Sequence, residues 1–232
     1  MPINKIVESF EDAVCGIRDG ATLLVGGFGG AGMPTELLDA LRDQGCRDLV
    51  IVSNNAGVGH RGIGGLLEAG RVRKVICSYP RSGGSVVFEQ MWAKGQVELE
   101  VVPQGTLSER MRAAGAGIGA FYTPTGVGTR LAEGKETREI DGRPHVLEHA
   151  LHGDAAFVFA ECADRWGNLT YSKSARNFGP VMAAAARLTV AQVRRIVSLG
   201  DLDPEIIVTP SIFVDRVIRI EGPGSGETVT EP

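Results

Sequence analysis

Residues 19–34 read DGATLLVGGFGGAGMP. The short apolar run Ala21–Val25 predicts a strand, and it enters five glycines within seven residues, Gly26 to Gly32. Met33 and Pro34 follow, then TELLDALRDQG, a helical pattern. Strand, glycine loop and helix together form an architecture that holds a phosphate-bearing or acyl-bearing cofactor against backbone amides. The loop also spells G-x-G-x-x-G through Gly27, Gly29 and Gly32, so a dinucleotide site is the first alternative. Two details oppose it. In a dinucleotide site the helix begins among the glycines, whereas Pro34, comfortable only in a first helical turn, starts this helix beyond them. Such a site also needs an acid about 20 residues on for the ribose, and the next strand, LVIVSNN, ends in Ser53, Asn54 and Asn55. No Gly-Lys-Ser/Thr follows the loop, which excludes a Walker site. A turn that only lets backbone pack closely rarely needs five glycines, each costly to order.

Outward from the loop, strand patterns at 21–25, 48–53, 73–78 and 97–102 alternate with helix patterns at 34–44, 63–69, 85–94 and 106–115. An amphipathic opening helix is read over 6–18 from Ile6, Val7, Phe10, Val14 and Ile17. This rhythm predicts an α/β fold with a mostly parallel sheet covered by helices on both faces. Ligands of such sheets bind beyond the carboxyl ends of the strands. There the glycine loop, SNNAG, SYPRS and PQGT gather on one edge. From about residue 120 the pattern becomes β-rich: TPTGVG and IDGRPH turns, a buried strand at 155–160, a hairpin-like DRWGNLTY, and ARNFGPVMAAAA as a loop into a small-residue helix. Residues 1–220 read as one domain with a β-rich C-terminal part, and 221–232 (GPGSGETVTEP with its flank) as a disordered tail.

The net charge of −4 on 232 residues, without a basic block, gives no support to nucleic-acid binding. No apolar run reaches membrane-spanning length and the N-terminus lacks a signal-peptide core, so neither a membrane nor secretion is expected. Cys15, Cys46, Cys77 and Cys162 are scattered, which suits reduced thiols in a cytoplasmic protein.

Asp19-Gly20, Leu23-Leu24-Val25, Gly26-Gly27-Phe28, Gly32 and Pro34 together resemble the first signature of the family I coenzyme A transferases, in their alpha subunits. SNNAG at 53–57, the stretch 102–129 beginning VPQGT, EGKETREIDG at 133–142, DRWGNLTY at 164–171 and ARNFGP at 175–180 extend the resemblance to about residues 3–220. It implies a CoA-transferase-like fold and transfer of CoA from succinyl-CoA to a 3-oxo acid, 3-oxoadipate first, with acetoacetate as the alternative. It implies a ping-pong route through a glutamyl-CoA thioester. The nucleophilic glutamate of the family lies in a Glu-Asn-Gly motif of the beta subunit, and that motif does not occur here; Glu161 and Glu68 stand in other settings. The expected partner is therefore a CoA-transferase beta subunit in a hetero-oligomer, a heterotetramer, with a dicarboxylate or 3-oxo acid as small-molecule substrate. No cofactor is expected to be permanently bound, CoA serving as co-substrate.

Within that resemblance, Gly26, Gly27, Phe28, Gly29, Gly30, Ala31 and Gly32 are the CoA and acyl-adduct loop. Tetrahedral oxyanions need fixed donors, and Asn54 and Asn55 are neutral donors at a strand end. The resemblance places this pair near the oxyanion and Gln104 against the glutamate. A turn or capping role is the plainer reading of the asparagines. Arg61 and Arg81 sit in loops near the same edge and could meet a dicarboxylate. His145, His149 and His152 have a spacing that would face one way on a helix, but GRPHVLEHALHG reads as strand and turn, so no metal site is expected. A reading from another class is a nucleotide- or sugar-phosphate-binding regulator on a similar sheet.

Overall fold

The computed structural model describes residues 3–220; the tail expected at 221–232 lies outside the described residues. The main sheet is built from β1 (Thr22–Val25), β2 (Leu49–Asn55), β3 (Val72–Tyr79), β4 (Glu98–Val101), β8 (Gly153–Ala163), β10 (Ala186–Ile196) and β11 (Arg216–Arg219), in the order β11-β10-β8-β1-β2-β3-β4. All these neighbours pair parallel. A short β9 (Leu169–Thr170) folds back antiparallel on β8. Its turn is held by the buried Asp164 carboxylate, which accepts from the Trp166 and Asn168 amides and from Asn168 Nδ2.

Parallel strands buried on both faces carry apolar residues at successive positions, and here alternate residues feed two cores. Leu23, Val25, Leu49, Ile51, Ala155 and Phe157 pack under α1 (Phe10–Val14), α2 (Thr35–Gln44), α3 (Ile63–Glu68) and α4 (Val86–Ala93). Leu24, Val50, Val52, Ala156 and Val158 pack under α5 (Gln104–Gly115) and α6 (Gly179–Ala185). Helices thus cover both faces, as the alternation of patterns predicts.

The opening helix is shorter than its periodicity implies. Ser9 Oγ accepts from the Asp12 amide and starts the helix at Phe10, while Gly16, at φ 88°, ends the run. Ile6 leaves the helical series to form a parallel bridge with Val217 beside β11. Its apolar side chain therefore serves the opposite core from Val14 and Ile17. The β-rich part also divides. Residues 120–149 make a separate antiparallel sheet, β5-β7-β6, from β5 (Ala120–Thr123), β6 (Thr137–Ile140) and β7 (Arg143–His149), while 153–219 return to the main sheet. His145 and His149 lie on β7, so the helical spacing of the three histidines does not apply. Among the described residues no helix is long and apolar enough to cross a membrane.

A chain of charges joins the small sheet to the large one. Lys74 on β3 and Arg110 on α5 both pair with Glu100 on β4; Arg110 also donates to the His149 carbonyl and lies 4.0 Å from the buried Glu148 carboxylate, which Lys135 completes. Burial alone would raise the Glu100 carboxyl, but Lys74 and then Arg110 outweigh it and hold the group below its ordinary value. The folded value being the lower one, this stabilisation is complete above the unfolded-chain value and fades as pH falls through the folded value. Removing one partner leaves Glu148 under-compensated, so Arg110→Ala should cost about 2–4 kcal/mol in denaturant unfolding at neutral pH. Glu100→Gln should lose less stability on acidification than the parent. An Arg110→Ala chain as stable as the parent would show that the two sheets do not depend on this junction.

Candidate active site

The parallel strands deliver β1 to β4 and β8 with their carboxyl ends on one edge. The loops there are knitted together. The buried Ser85 hydroxyl donates to the Gly57 carbonyl, and the Gly59 amide donates to Gly84, tying the turn after β2 to the turn after β3.

The glycine loop leaves β1 at Val25 and closes as a miniature hairpin: the Phe28 and Ala31 amides exchange hydrogen bonds with each other's carbonyls. Much of the loop's donor capacity is thereby used. The Gly26 amide donates to Phe157 on β8, and the Gly27 amide to Asn177 Oδ1 at 2.9 Å. Among the described residues the amides of Gly29, Gly30 and Gly32 remain without such a partner. The turn needs glycine at its tip, where Gly29 adopts φ 60°, and at Gly32, φ 71°, where an added Cβ would run into the Ala175 carbonyl oxygen. Phe28 is half exposed beside the tip.

The helix after the loop begins at Thr35 with Pro34 as its cap residue, as the proline requires. It is not an open anion site. Gln192 on β10 reaches across to accept from the Leu37 amide and donate to the Glu36 carboxylate, and Glu36 itself puts negative charge in the first turn. The position where a dinucleotide would rest its pyrophosphate is therefore filled. Asp19 and Gly20, which open the same sequence stretch, lie before β1, where Asp19 accepts from the Arg47 amide and staples a turn.

Asn54 and Asn55 face opposite sides of β2, as successive strand residues must. Asn54 is buried on the α5 side, where Gln104 Nε2 donates to its Oδ1 at 2.7 Å. Among the described residues no group accepts from Asn54 Nδ2, and Gln104 Oε1 is likewise unengaged. Gln104 is the first residue of α5, after Pro103, and no side chain caps that helix. Its first-turn amides leave a positive potential beside the amide pair. Asn55 turns its Oδ1 to the Gly57 amide at 2.9 Å, a local Asx turn. The structure thus brings Gln104 and Asn54 into contact, sets Asn55 on the other face shaping the loop, and anchors the glycine loop on β8 and the 175–178 segment; no hydrogen bond among the described residues links that loop to Asn54 or Gln104.

The charged candidates are spoken for. Arg61 donates through Nε and Nη2 to Asp39 on α2, at 2.9 and 2.6 Å, and Arg81 pairs with Glu89 at 3.3 Å. Glu161 on β8 lies 3.6 Å from Arg194, whose guanidinium stacks on Phe159, and Glu68 faces His60. Cys77 near the end of β3 is buried, and burial pushes its thiol up to about 12, so it offers no thiolate at neutral pH. The resemblance takes in Asn177 through ARNFGP without giving it a role, and no sequence pattern points to Gln192; each acts on backbone more than a hundred residues away.

With the start of α2 occupied by Gln192 and Glu36, the doubly covered parallel sheet and its glycine hairpin do not form a dinucleotide module. The chain belongs to the coenzyme A transferase family, whose model matches residues 7–219. Enzymes of this family use CoA thioesters as co-substrates. The chain is 62% identical to one subunit of the 3-oxoadipate CoA-transferase of Pseudomonas putida, over 95% of each chain. It is 49% identical to one subunit of the probable succinyl-CoA:3-ketoacid coenzyme A transferase of Bacillus subtilis, over 93% of this chain and 90% of that one. The crystal structure of the acyl-CoA transferase YdiF apoenzyme from Escherichia coli O157:H7 superposes with a TM-score of 0.82 at 26% identity, covering 95% of this chain and 48% of that one. The present chain therefore spans about half of that enzyme.

Two of the loop glycines, Gly32 and Gly30, separate its anchored side from its open side. Gly32→Ala should destabilise the chain by about 2 kcal/mol or more, from the strained φ and the backbone clash. Gly30→Ala, whose Cβ would meet nothing within 4 Å, should unfold like the parent. Equal thermal unfolding of the two variants would contradict this division of the loop.

Proposed function

We propose that this chain is the alpha subunit of a CoA-transferase that moves CoA from succinyl-CoA to 3-oxoadipate, in an active site completed by a beta subunit that brings the nucleophilic glutamate. One observation carries the reading. A buried asparagine amide, Asn54, is locked by Gln104 at the open first turn of α5, and among the described residues no carboxylate of this chain is bonded to either. That arrangement receives a carboxylate; it does not supply one. The choice of 3-oxoadipate rests on the likeness to the Pseudomonas putida protein, and the 3-ketoacid relatives make acetoacetate the second acceptor to test.

In this reading the partner's glutamate attacks the succinyl-CoA carbonyl and CoA leaves as the thiolate. The thiolate then attacks the glutamyl carbonyl of the mixed anhydride, releasing succinate and leaving a glutamyl-CoA thioester. The acceptor carboxylate repeats both steps in reverse order, so that the glutamate is regenerated and the acceptor departs as its CoA thioester. Every addition passes through an oxyanion, and preorganised donors stabilise it without reorganising. Asn54 Nδ2 and the Gly29 and Gly30 amides are this chain's donors. Gln104 orients the glutamate with a neutral amide, which spares the carboxylate the pKa depression a cation would impose. The partner assembles with this chain as a heterotetramer in this reading, and the buried free thiols of Cys46, Cys77 and Cys162 support a cytoplasmic setting.

Co-expression with the neighbouring beta-type reading frame tests the proposal. The complex should transfer CoA from succinyl-CoA to 3-oxoadipate faster than to acetoacetate, and neither chain should do so alone. A chain that bound a phosphate ligand by itself and supported no transfer with its partner would favour the regulator reading instead. Gln104→Ala should lower kcat by roughly 10²-fold, the lower end of the cost of removing one oxyanion-site donor, while the complex elutes at its normal size. Unchanged turnover would remove Gln104 from the site.

A further inference from the structure

We infer that Asn177 is a positioning residue of the transfer reaction: its side chain clamps the glycine hairpin so that the free amides of Gly29 and Gly30 are aimed at the reacting acyl group. The inference rests on the proposed CoA-transferase function for the identity of that group.

Asn177 lies between β9 and α6, 150 residues beyond Gly27. Its Oδ1 accepts from the buried Gly27 amide at 2.9 Å and from the Phe178 amide at 2.7 Å. Its Nδ2 lies 2.8 Å from the Ala175 carbonyl, 3.2 Å from the Ala31 carbonyl and 3.3 Å from the Ser174 carbonyl. One amide therefore holds the hairpin at both ends, Gly27 entering and Ala31 leaving. An apolar side chain could do neither, and a hydroxyl lacks the reach and the separate donor and acceptor. The backbone at Asn177 has φ 26° and ψ −119°, outside the left-handed helical region and a conformation that glycine enters readily and residues with a side chain rarely adopt.

The surroundings show a seat built to receive the loop. Gly32 sits so close to this segment that a Cβ there would lie 2.4 Å from the Ala175 carbonyl oxygen and 2.7 Å from Asn177 Nδ2. The seat is itself pinned, because the Tyr171 hydroxyl bonds to Thr209 at 2.8 Å and the Tyr171 ring packs against Gly179. At the other end of the hairpin, Cβ atoms on Gly29 or Gly30 would meet nothing. The loop is fixed at its base and open at its tip, the arrangement expected of donors presented to a ligand.

Asn177→Gly keeps the backbone conformation and deletes the clamp. In the complex with the beta subunit it should lower kcat by roughly 10²-fold, the cost of misplacing a catalytic group by about an ångström, with KM for both substrates little changed. Amide exchange at Gly27 should quicken by about tenfold or more as its buried hydrogen bond opens, while β1 and β2 keep their protection. Asn177→Asp keeps an acceptor for the Gly27 amide but turns an oxygen instead of a donor to the Ala31, Ser174 and Ala175 carbonyls. It should therefore keep Gly27 protected yet lower kcat by roughly tenfold or more, and it serves as the test should the glycine variant fold poorly; a kcat within about twofold of the parent would then overturn the positioning role. Unchanged Gly27 exchange in Asn177→Gly would overturn the clamp whatever the activity. Faster exchange with kcat within about twofold of the parent would overturn the positioning role. A parent complex that transfers no CoA would instead contradict the proposed function, and the exchange measurement would still decide the clamp.

Discussion

The parallel pairing of β1 between β8 and β2 is the constraint on which the rest of the structure depends. Leu23 registers with Ala155 on one side and Ile51 on the other, and all three strands run the same way. With that direction fixed, the glycine hairpin and Asn54 emerge on one edge, where Asn177 meets the hairpin. β3 and β4, added in the same sense, bring the Ser85 turn and the start of α5 to it. The cost of the arrangement is a sheet buried on both faces, met by the two apolar cores beneath α1–α4 and α5–α6.

The edge assembled in this way presents neutral amide donors from the glycine hairpin and from Asn54. Three of its arginines are tied to carboxylates of the same chain, Arg61 to Asp39, Arg81 to Glu89 and Arg194 to Glu161, while the exposed Lys173 lines a cavity with Gly30, Ala31 and Gly32. Beside them stands a small set of backbone and side-chain amides held from behind, Asn54 by Gln104 and the hairpin by Asn177. Such donors stabilise an oxyanion that forms and disappears without trapping a permanently charged carboxylate. The chain spans about half of the solved acyl-CoA transferase on which it superposes, and the proposed function divides the reacting groups between two chains.

Much of this is legible in the sequence because its signals are local. The strand and helix alternation places β1 to β4 and α2 to α5 within a few residues, and Pro34 marks the start of α2 after an extended loop rather than within it. The four converging loops follow from the parallel topology alone. What stays hidden depends on distant partners. The helical periodicity of residues 6–18 does not reveal that Ile6 is wanted by β11. Counting glycines overstates the open amides, because Phe157 and Asn177 take those of Gly26 and Gly27. Reading SNN as a pair overlooks the strand's alternation, which gives Asn54 to Gln104 and turns Asn55 to its own loop. The Gln192 cap on α2 and the Arg110 junction join segments that no sequence window contains.

The central claim is that this chain supplies donors and its partner supplies the nucleophile. Intact-mass measurement of the two chains of the complex, following incubation with succinyl-CoA without acceptor, tests it most directly. The expected result is a CoA thioester adduct confined to the partner, with the mass of this chain unchanged. An adduct on this chain, with the partner unmodified, would contradict the account.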